Sequence, residues 1–151
     1  MKLFAYLYFL TLVFDQFSGR MCLMVDNKCN FLIAEDDPVL RDLYIRKFST
    51  SEFQIRTATN GEEVVTMVAE QAPDLLLLDL NMPVLDGFGV LEKLPKEQRS
   101  YPVIIITNFE DQATREKAKK LGVDGYFVKK DMTIKSLVEM VEGLLSYKKA
   151  A

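Results

Sequence analysis

From residue 30 onward the chain alternates short apolar runs with longer amphipathic stretches. Phe31, Leu32, Ile33 and Ala34 make a run with no polar face, which predicts a buried strand. Asp37 and Pro38 follow, a capping residue and a residue suited to the first helical turn. Val39, Leu40, Leu43, Tyr44 and Phe48 then recur at helical spacing. Residues 53–58 alternate more weakly and predict a second strand, and Asn60 to Glu63 has the spacing of a capping box. The helix that begins there carries Val64, Val65, Met67 and Val68 and stops at Ala72 and Pro73. Leu75, Leu76, Leu77 and Leu78 have no polar partner face, as expected at the centre of a parallel sheet. Asp86 and Gly87 open a helix bearing Phe88, Leu91 and Leu94. Val103, Ile104, Ile105 and Ile106 predict a fourth strand, and a charged helix runs over about 111–121, closed by Gly122. Tyr126, Phe127 and Val128 predict a fifth strand. The last helix carries Ile134, Leu137, Val138, Val141, Leu144 and Leu145 on one stripe.

Strands that alternate with helices in this way imply a parallel sheet covered on both faces. The expected organisation is one folded domain over residues 28–149, preceded by an apolar extension over 1–27, with no second domain after the last helix. The extension contains an almost unbroken apolar run over residues 3–14. It is shorter than the ~18 residues a membrane span needs. It has the length of a signal-peptide core, yet the polar stretch after it offers no small-x-small cleavage site. Three readings stand: a start set too far upstream, with Met21 or Met24 as the true first residue; a segment that touches a membrane or a partner; or a cleaved signal.

Composition narrows the chemistry. The chain has 151 residues, 49% hydrophobic, with 19 basic against 22 acidic side chains and a net charge of -3. A nucleic-acid footprint needs a basic excess, so direct nucleic-acid binding is not expected. There is no histidine, which removes Ser-His-Asp and Cys-His catalysis, histidine zinc sites and any phosphohistidine on this chain. Cys22 and Cys29 are too few for a disulfide framework or a four-cysteine metal site. Both are expected to precede the folded alternation that begins at residue 30, as reduced thiols of a cytoplasmic protein.

Polar residues directly follow the apolar runs: Glu35 and Asp36, Asp79, Thr107, and Lys129. In open α/β sheets, sites form beyond the carboxyl ends of the strands, so these residues converge on one edge. Carboxylates brought together repel and raise one another's pKa, which a cation offsets. Oxygen ligands select a hard ion, and few protein ligands suit Mg²⁺. Such a cluster fits phosphoryl transfer to a carboxylate, with Asp79 as nucleophile and Lys129 and Thr107 holding phosphoryl oxygens.

Residues 31–37, residues 78–83 with Asp86 and Gly87, Ile106 with Thr107, and residues 125–129 together resemble the receiver domain of two-component response regulators, chemotaxis regulators included. The resemblance covers about residues 30–147. It implies a flavodoxin-like doubly wound (βα)5 fold, a three-layer sandwich with a five-stranded parallel sheet in the order 2-1-3-4-5; receiver proteins are a standard example of that order. It also implies site roles. Asp79 looks like the phosphoacceptor. Asp36 would bind Mg²⁺ directly, Glu35 largely through water, and Asn81 through its backbone carbonyl. Thr107 would bond the phosphoryl group, Tyr126 would turn inward when Thr107 moves, and Lys129 would pair with the phosphoryl group. Asp37 is read as a helix cap. The implied partners are a sensor histidine kinase or a histidine phosphotransfer protein, and a downstream protein target, reached through the surface around the fourth helix, fifth strand and fifth helix.

Two positions depart from the family pattern. Asn108 follows Thr107 where a small residue is usual, and Lys130 follows Lys129 where proline, often cis, is usual. A non-proline cis bond costs about 2.5–4 kcal/mol, so the cis geometry is not carried over. Phe109 sits where the family tunes phosphoryl lifetime. Two other functions compete with a phosphoacceptor that performs no turnover chemistry. One is an interaction module of receiver fold that takes no phosphate. The other is an Asp-nucleophile phosphatase of the haloacid dehalogenase type, which wants an acid where this chain has Asn81. Arg115, Lys117, Lys119 and Lys120 read as a solvated helix face or as a partner surface.

Overall fold

The computed structural model describes residues 28–49 and 52–150, with side chains described through residue 146. The apolar amino-terminal stretch, Cys22 and the candidate starts Met21 and Met24 lie outside the described residues. Five strands alternate with five helices: β1 (Cys29–Ala34), α1 (Pro38–Phe48), β2 (Phe53–Ala58), α2 (Gly61–Glu70), β3 (Leu75–Asp79), α3 (Gly87–Lys93), β4 (Val103–Thr107), α4 (Gln112–Lys120), β5 (Gly125–Val128) and α5 (Ile134–Ala150). A short 3-10 turn over Lys96–Gln98 lies between α3 and β4. All four strand pairings are parallel, in the order β2-β1-β3-β4-β5. This is the flavodoxin-like order that the resemblance implies.

The period of two along each strand divides the core into two layers. Leu32, Ala34, Leu76, Leu78 and Ile105 face one way, against Val64 of α2 and Val90 and Leu91 of α3. Phe31, Ile33, Leu75, Leu77, Ile104 and Ile106 face the other way, against Tyr44 and Phe48 of α1 and Leu137 and Val141 of α5. Every residue of β3 and β4 is buried, which is why both read as unbroken apolar runs.

All five helices start on side-chain caps; in α5 Thr133 Oγ1 accepts from Ser136 N–H at 3.1 Å. Asp37 Oδ1 accepts from the N–H groups of Val39 at 2.7 Å and Leu40 at 3.2 Å. Asn60 accepts from Glu63 N–H at 3.0 Å, Asp86 from Gly89 N–H at 2.7 Å, and Asp111 from Thr114 N–H at 2.9 Å. The return arm of the Asn60 box is shifted by one residue: Glu63 accepts from Thr59 N–H at 2.6 Å. Gly122, at φ +73°, takes the left-handed position that ends α4, and Arg99 Nη2 donates to the carbonyls of Leu121 and Gly122 there.

The structure differs from the sequence expectation at two points. Cys29 does not precede the folded part; it is the first residue of β1 and pairs in register with Phe53. The strand extends back beyond its apolar run because the polar Asn30 is satisfied within the fold. Asn30 N–H donates to Asp74, its Nδ2 to Ala72 O, and its Oδ1 accepts from Arg56 Nε. In α1, Tyr44 and Phe48 are buried, while Val39 is 74% and Leu43 44% exposed. Leu40, Tyr44 and Phe48 form an i, i+4 row against the sheet, and residues one position earlier are rotated about 100° away from it. Among the described residues no helix is long and apolar enough to cross a membrane.

Gly61 gives the packing a test. A Cβ there would lie 2.2 Å from the carbonyl oxygen of Leu85, which accepts the Gly61 N–H at 3.0 Å. A helical Gly→Ala change ordinarily gains about 1 kcal/mol. Gly61→Ala is expected to lose about 1–3 kcal/mol instead, because rigid backbone must move. Urea unfolding of the variant beside the wild type measures the sign.

Candidate functional site

The parallel register brings the polar strand ends to one edge. Ala34 pairs with Leu78, Asp79 with Ile106, and Thr107 with Val128. Glu35, Asp79 and Thr107 are therefore carried to a common level, and all three are buried. Lys129 follows β5 at the same edge. Its Nζ donates to Asp79 Oδ2 at 2.6 Å and to Glu35 Oε1 at 2.9 Å. One ammonium thus bridges two buried carboxylates that come from different strands.

The backbone holds the remaining oxygens. Asp79 Oδ1 accepts from Asn81 N–H at 2.9 Å, and Glu35 Oε1 accepts a longer bond from Asp37 N–H at 3.4 Å. Gly87 lets the start of α3 press onto the end of β3, since a Cβ there would lie 2.5 Å from Asp79 O. Asp36 is exposed, yet carboxylate oxygens of Glu35, Asp36 and Asp79 all lie within 4.8 Å of one another. That donor set is oxygen only and acidic, and it opens to solvent through Asp36. It fits a hard divalent ion that keeps part of its water shell.

Electrostatics follow from this crowding. Burial, opposed by the Lys129 hydrogen bond and reinforced by the nearby Asp79 charge, pushes the Glu35 carboxyl up to about 7. Burial works to lower the Lys129 pKa, but its bonds to Asp79 and Glu35 overcome that and hold it above the usual lysine value. The ammonium therefore stays charged. Burial, with the charges of Glu35, Asp79 and Asp37, raises Tyr44 far above the usual phenol range, so a neutral hydroxyl lies under the acidic cluster.

Thr107 and Tyr126 bond instead to the loop after β4. Thr107 Oγ1 accepts from Phe109 N–H at 3.1 Å, and Tyr126 donates its hydroxyl to Phe109 O at 2.9 Å. Thr107 and Tyr126 are thus joined through the Phe109 peptide groups and not to each other. Asn81 meets the cluster through its backbone N–H, with its side chain exposed. Lys130 forms an ion pair with Glu110, and all peptide bonds among the described residues are trans, the one after Lys129 included. Val84, at φ +69°, closes a three-residue turn in which Leu85 N–H donates to Pro83 O at 2.8 Å.

Three contributors carry no sequence signal of their own. Arg41 Nη1 donates to the carbonyls of Glu35 at 2.9 Å and Asp36 at 3.2 Å, clamping the acidic turn from α1. Tyr44 reads in the sequence only as core. Arg115 stacks on Tyr126, its guanidinium carbon 4.5 Å from the ring centroid. The bonds of Arg41 go to backbone carbonyls, and the stacking of Arg115 joins residues on separate elements, so no local pattern marks either.

Comparison with known proteins places this geometry. Residues 31–142 match the family model of the response regulator receiver domain. The chain is 37% identical over 103 residues to a probable transcriptional regulator ycf27 of Cyanophora paradoxa, covering 68% of this chain and 43% of that protein. It is 32% identical over 114 residues to the transcriptional regulatory protein PrrA of Mycobacterium bovis, covering 76% of this chain and 48% of that protein. The chain thus spans less than half the length of these curated relatives. Among solved structures, the receiver domain of Francisella response regulator 1452 superposes with a TM-score of 0.73 at 27% identity, over 80% of this chain and 98% of that one. A CheY-like receiver domain protein from Methanospirillum hungatei reaches a TM-score of 0.75 at 20% identity, over 81% and 97%, and supports the fold alone. With the family model reaching into every strand and the acidic cluster at their ends, the chain belongs to the response regulator receiver domain family of two-component systems.

Proposed function

We propose that this chain accepts a phosphoryl group on Asp79 from a phosphohistidine carried by a sensor histidine kinase or a histidine phosphotransfer protein. The observation that carries the reading is the buried Asp79 carboxylate, tied to Lys129 at 2.6 Å and grouped with Glu35 and Asp36 within 4.8 Å. A carboxylate oxygen of Asp79 would attack phosphorus while the phosphorus–nitrogen bond of the donor breaks and its electron pair returns to the imidazole. The absence of histidine from this chain agrees with a donor supplied by the partner.

Asp36 and Asp79, with Glu35 through water and the Asn81 carbonyl, would hold Mg²⁺. Bound there, the ion supplies positive charge against the phosphoryl oxygens. Lys129 already carries its ammonium to Asp79 and would accompany the new anion. Thr107, fully buried, would leave the Phe109 N–H to bond the phosphoryl group. Tyr126, bonded to Phe109 O, would readjust with it, altering the surface formed by α4, β5 and α5. We read the output as binding of a protein target or onward transfer of phosphate, with no turnover of a substrate. The relatives are named as transcriptional regulators, and more than half of their length lies beyond the match, so the reading of no direct nucleic-acid contact concerns this chain alone.

Asp79→Asn is expected to bring Mg²⁺-dependent labelling by acetyl phosphate to background, while the folded spectrum is retained. Labelling that survives the change assigns the phosphate elsewhere and removes the proposal.

Glu35 adds a pH dependence. Its folded pKa, about 7, lies above the ordinary 4.5, so the folded state binds a proton the unfolded state has released. The stability linked to this group is present below about 4.5 and is lost as pH rises through about 7. In EDTA the urea midpoint is therefore expected to fall between pH 5 and pH 8, with a shallower fall in Glu35→Gln.

The same proton competes with metal. Mg²⁺ titrations are expected to show up to about tenfold tighter binding at pH 8 than at pH 6. Most of that difference should disappear in Glu35→Gln.

A further inference from the structure

Among the described residues, the large apolar side chains left in solvent are Val39, Leu43, Val84 and Phe109. Two of them belong together. Val39 and Leu43 stand one turn apart on α1, 74% and 44% exposed, and form a ridge on the face turned away from the sheet. Charges of opposite sign border the two ends of this ridge. Asp36 and Asp37 lie at the start of α1, Arg46 and Lys47 lie in its last turn, and all four are exposed. The sequence holds a second apolar feature that the site does not use. It is the run over residues 3–14, flanked by Lys2 and Asp15.

The two features match in length and in reach. The 11 residues of α1 are about 16 Å long, and residues 3–14 as a helix would be about 18 Å. The chain enters β1 beside the foot of α1, where the rings of Phe31 and Phe48 are 4.9 Å apart. Residues 15–27 can span up to about 45 Å, so the run can reach the whole length of α1. Such a tether gives the run an effective concentration in the millimolar range, which favours the chain's own ridge over that of a second copy. A membrane is the weaker occupant. The run falls short of the ~18 residues of a span, and flanks of one basic and one acidic residue give no polybasic attraction to anionic lipid.

We propose that residues 3–14 pack along the outer face of α1, with their apolar side chains seated on Val39 and Leu43. The segment runs parallel to α1, which sets Lys2 toward Asp36 and Asp37, and Asp15 toward Arg46 and Lys47. The opposite direction would bring like charges together at both ends. The parallel direction also returns residue 15 to the foot of α1, where β1 begins. Removal of both apolar surfaces from water drives the contact. The end charges select its direction, each exposed pair adding little. The proposal is independent of the phosphoacceptor reading.

The experiment compares the full chain with a chain that starts at Met24, by the methyl resonances of Val39 and Leu43 and by sedimentation, at high and low protein concentration. The shortened chain keeps every described residue, so this comparison stands without any substitution. Both methyl signals are expected to differ between the two proteins, by the same amount at both concentrations, with both proteins monomeric. In the full chain, Val39→Ser combined with Leu43→Ser is expected to speed chymotrypsin cleavage at Tyr6 and Tyr8 by about five- to thirtyfold. Asp15→Lys is expected to speed it by about two- to fivefold. Methyl signals that coincide in the two proteins would overturn the proposal. So would a difference that fades on dilution, since a second copy would then be the occupant. A full chain that binds phosphatidylcholine vesicles, with Val39 and Leu43 signals matching those of the shortened chain, assigns the run to a membrane and equally removes the proposal. Cleavage unchanged by the serine pair takes the segment off this ridge, and cleavage unchanged by Asp15→Lys overturns its direction.

Discussion

The bridge from Lys129 to Glu35 and Asp79 is the interaction on which the rest of the site depends. Two carboxylates at the ends of adjacent strands, both nearly sealed from water, are not compatible as bare anions. A single ammonium with bonds of 2.6 and 2.9 Å makes them compatible without a water shell. It also ties the end of β5, at one edge of the sheet, across β4 to the loops after β1 and β3. The compensation is incomplete: two potential negative charges face one positive charge, with exposed Asp36 beside them. Burial first, and the Asp79 charge after it, push the Glu35 carboxyl up to about 7 despite the Lys129 bond, and the uncompensated charge suits the cluster to a further cation.

The fold was legible chiefly because the central strands are buried on both faces. β3 and β4 read as continuous apolar runs since both of their faces are covered, and the helices between them carry their own caps. The polar strand ends were legible for a related reason. Asp79 and Thr107 each break an otherwise uniform run, and parallel register then carries them to one edge. The alternating pattern failed where polarity is compensated at long range. Asn30 stands outside the apolar run that marks the first strand, and the Asp74, Ala72 and Arg56 groups that satisfy it come from far along the chain. Periodicity also could not say which row of α1 meets the sheet, and the exposed Val39 and Leu43 look as apolar as the buried Tyr44 and Phe48.

Pairings between distant residues are the remaining illegible class. The sequence suggests that Lys129 could meet Asp79; it does not indicate that the same ammonium also reaches Glu35. Arg41 acts on carbonyls, which every residue possesses, so its place at the acidic turn leaves no trace in side-chain pattern. The trans peptide after Lys129 and the Glu110 ion pair of Lys130 follow from a departure visible in the sequence, but their geometry required the fold.

The glycine contacts have a mechanical consequence. Gly61 meets Leu85 O, and Gly87 meets Asp79 O, at separations that leave no room even for a methyl group. On that flank, α2, α3 and the end of β3 are wedged backbone to backbone, a stiff abutment. On the other side of β3, the loop after Thr107 is linked to its surroundings through the Tyr126 hydroxyl and the Lys130–Glu110 pair, side-chain contacts in place of backbone abutment. A change at Asp79 therefore meets backbone packed on backbone on one side and side-chain contacts on the other.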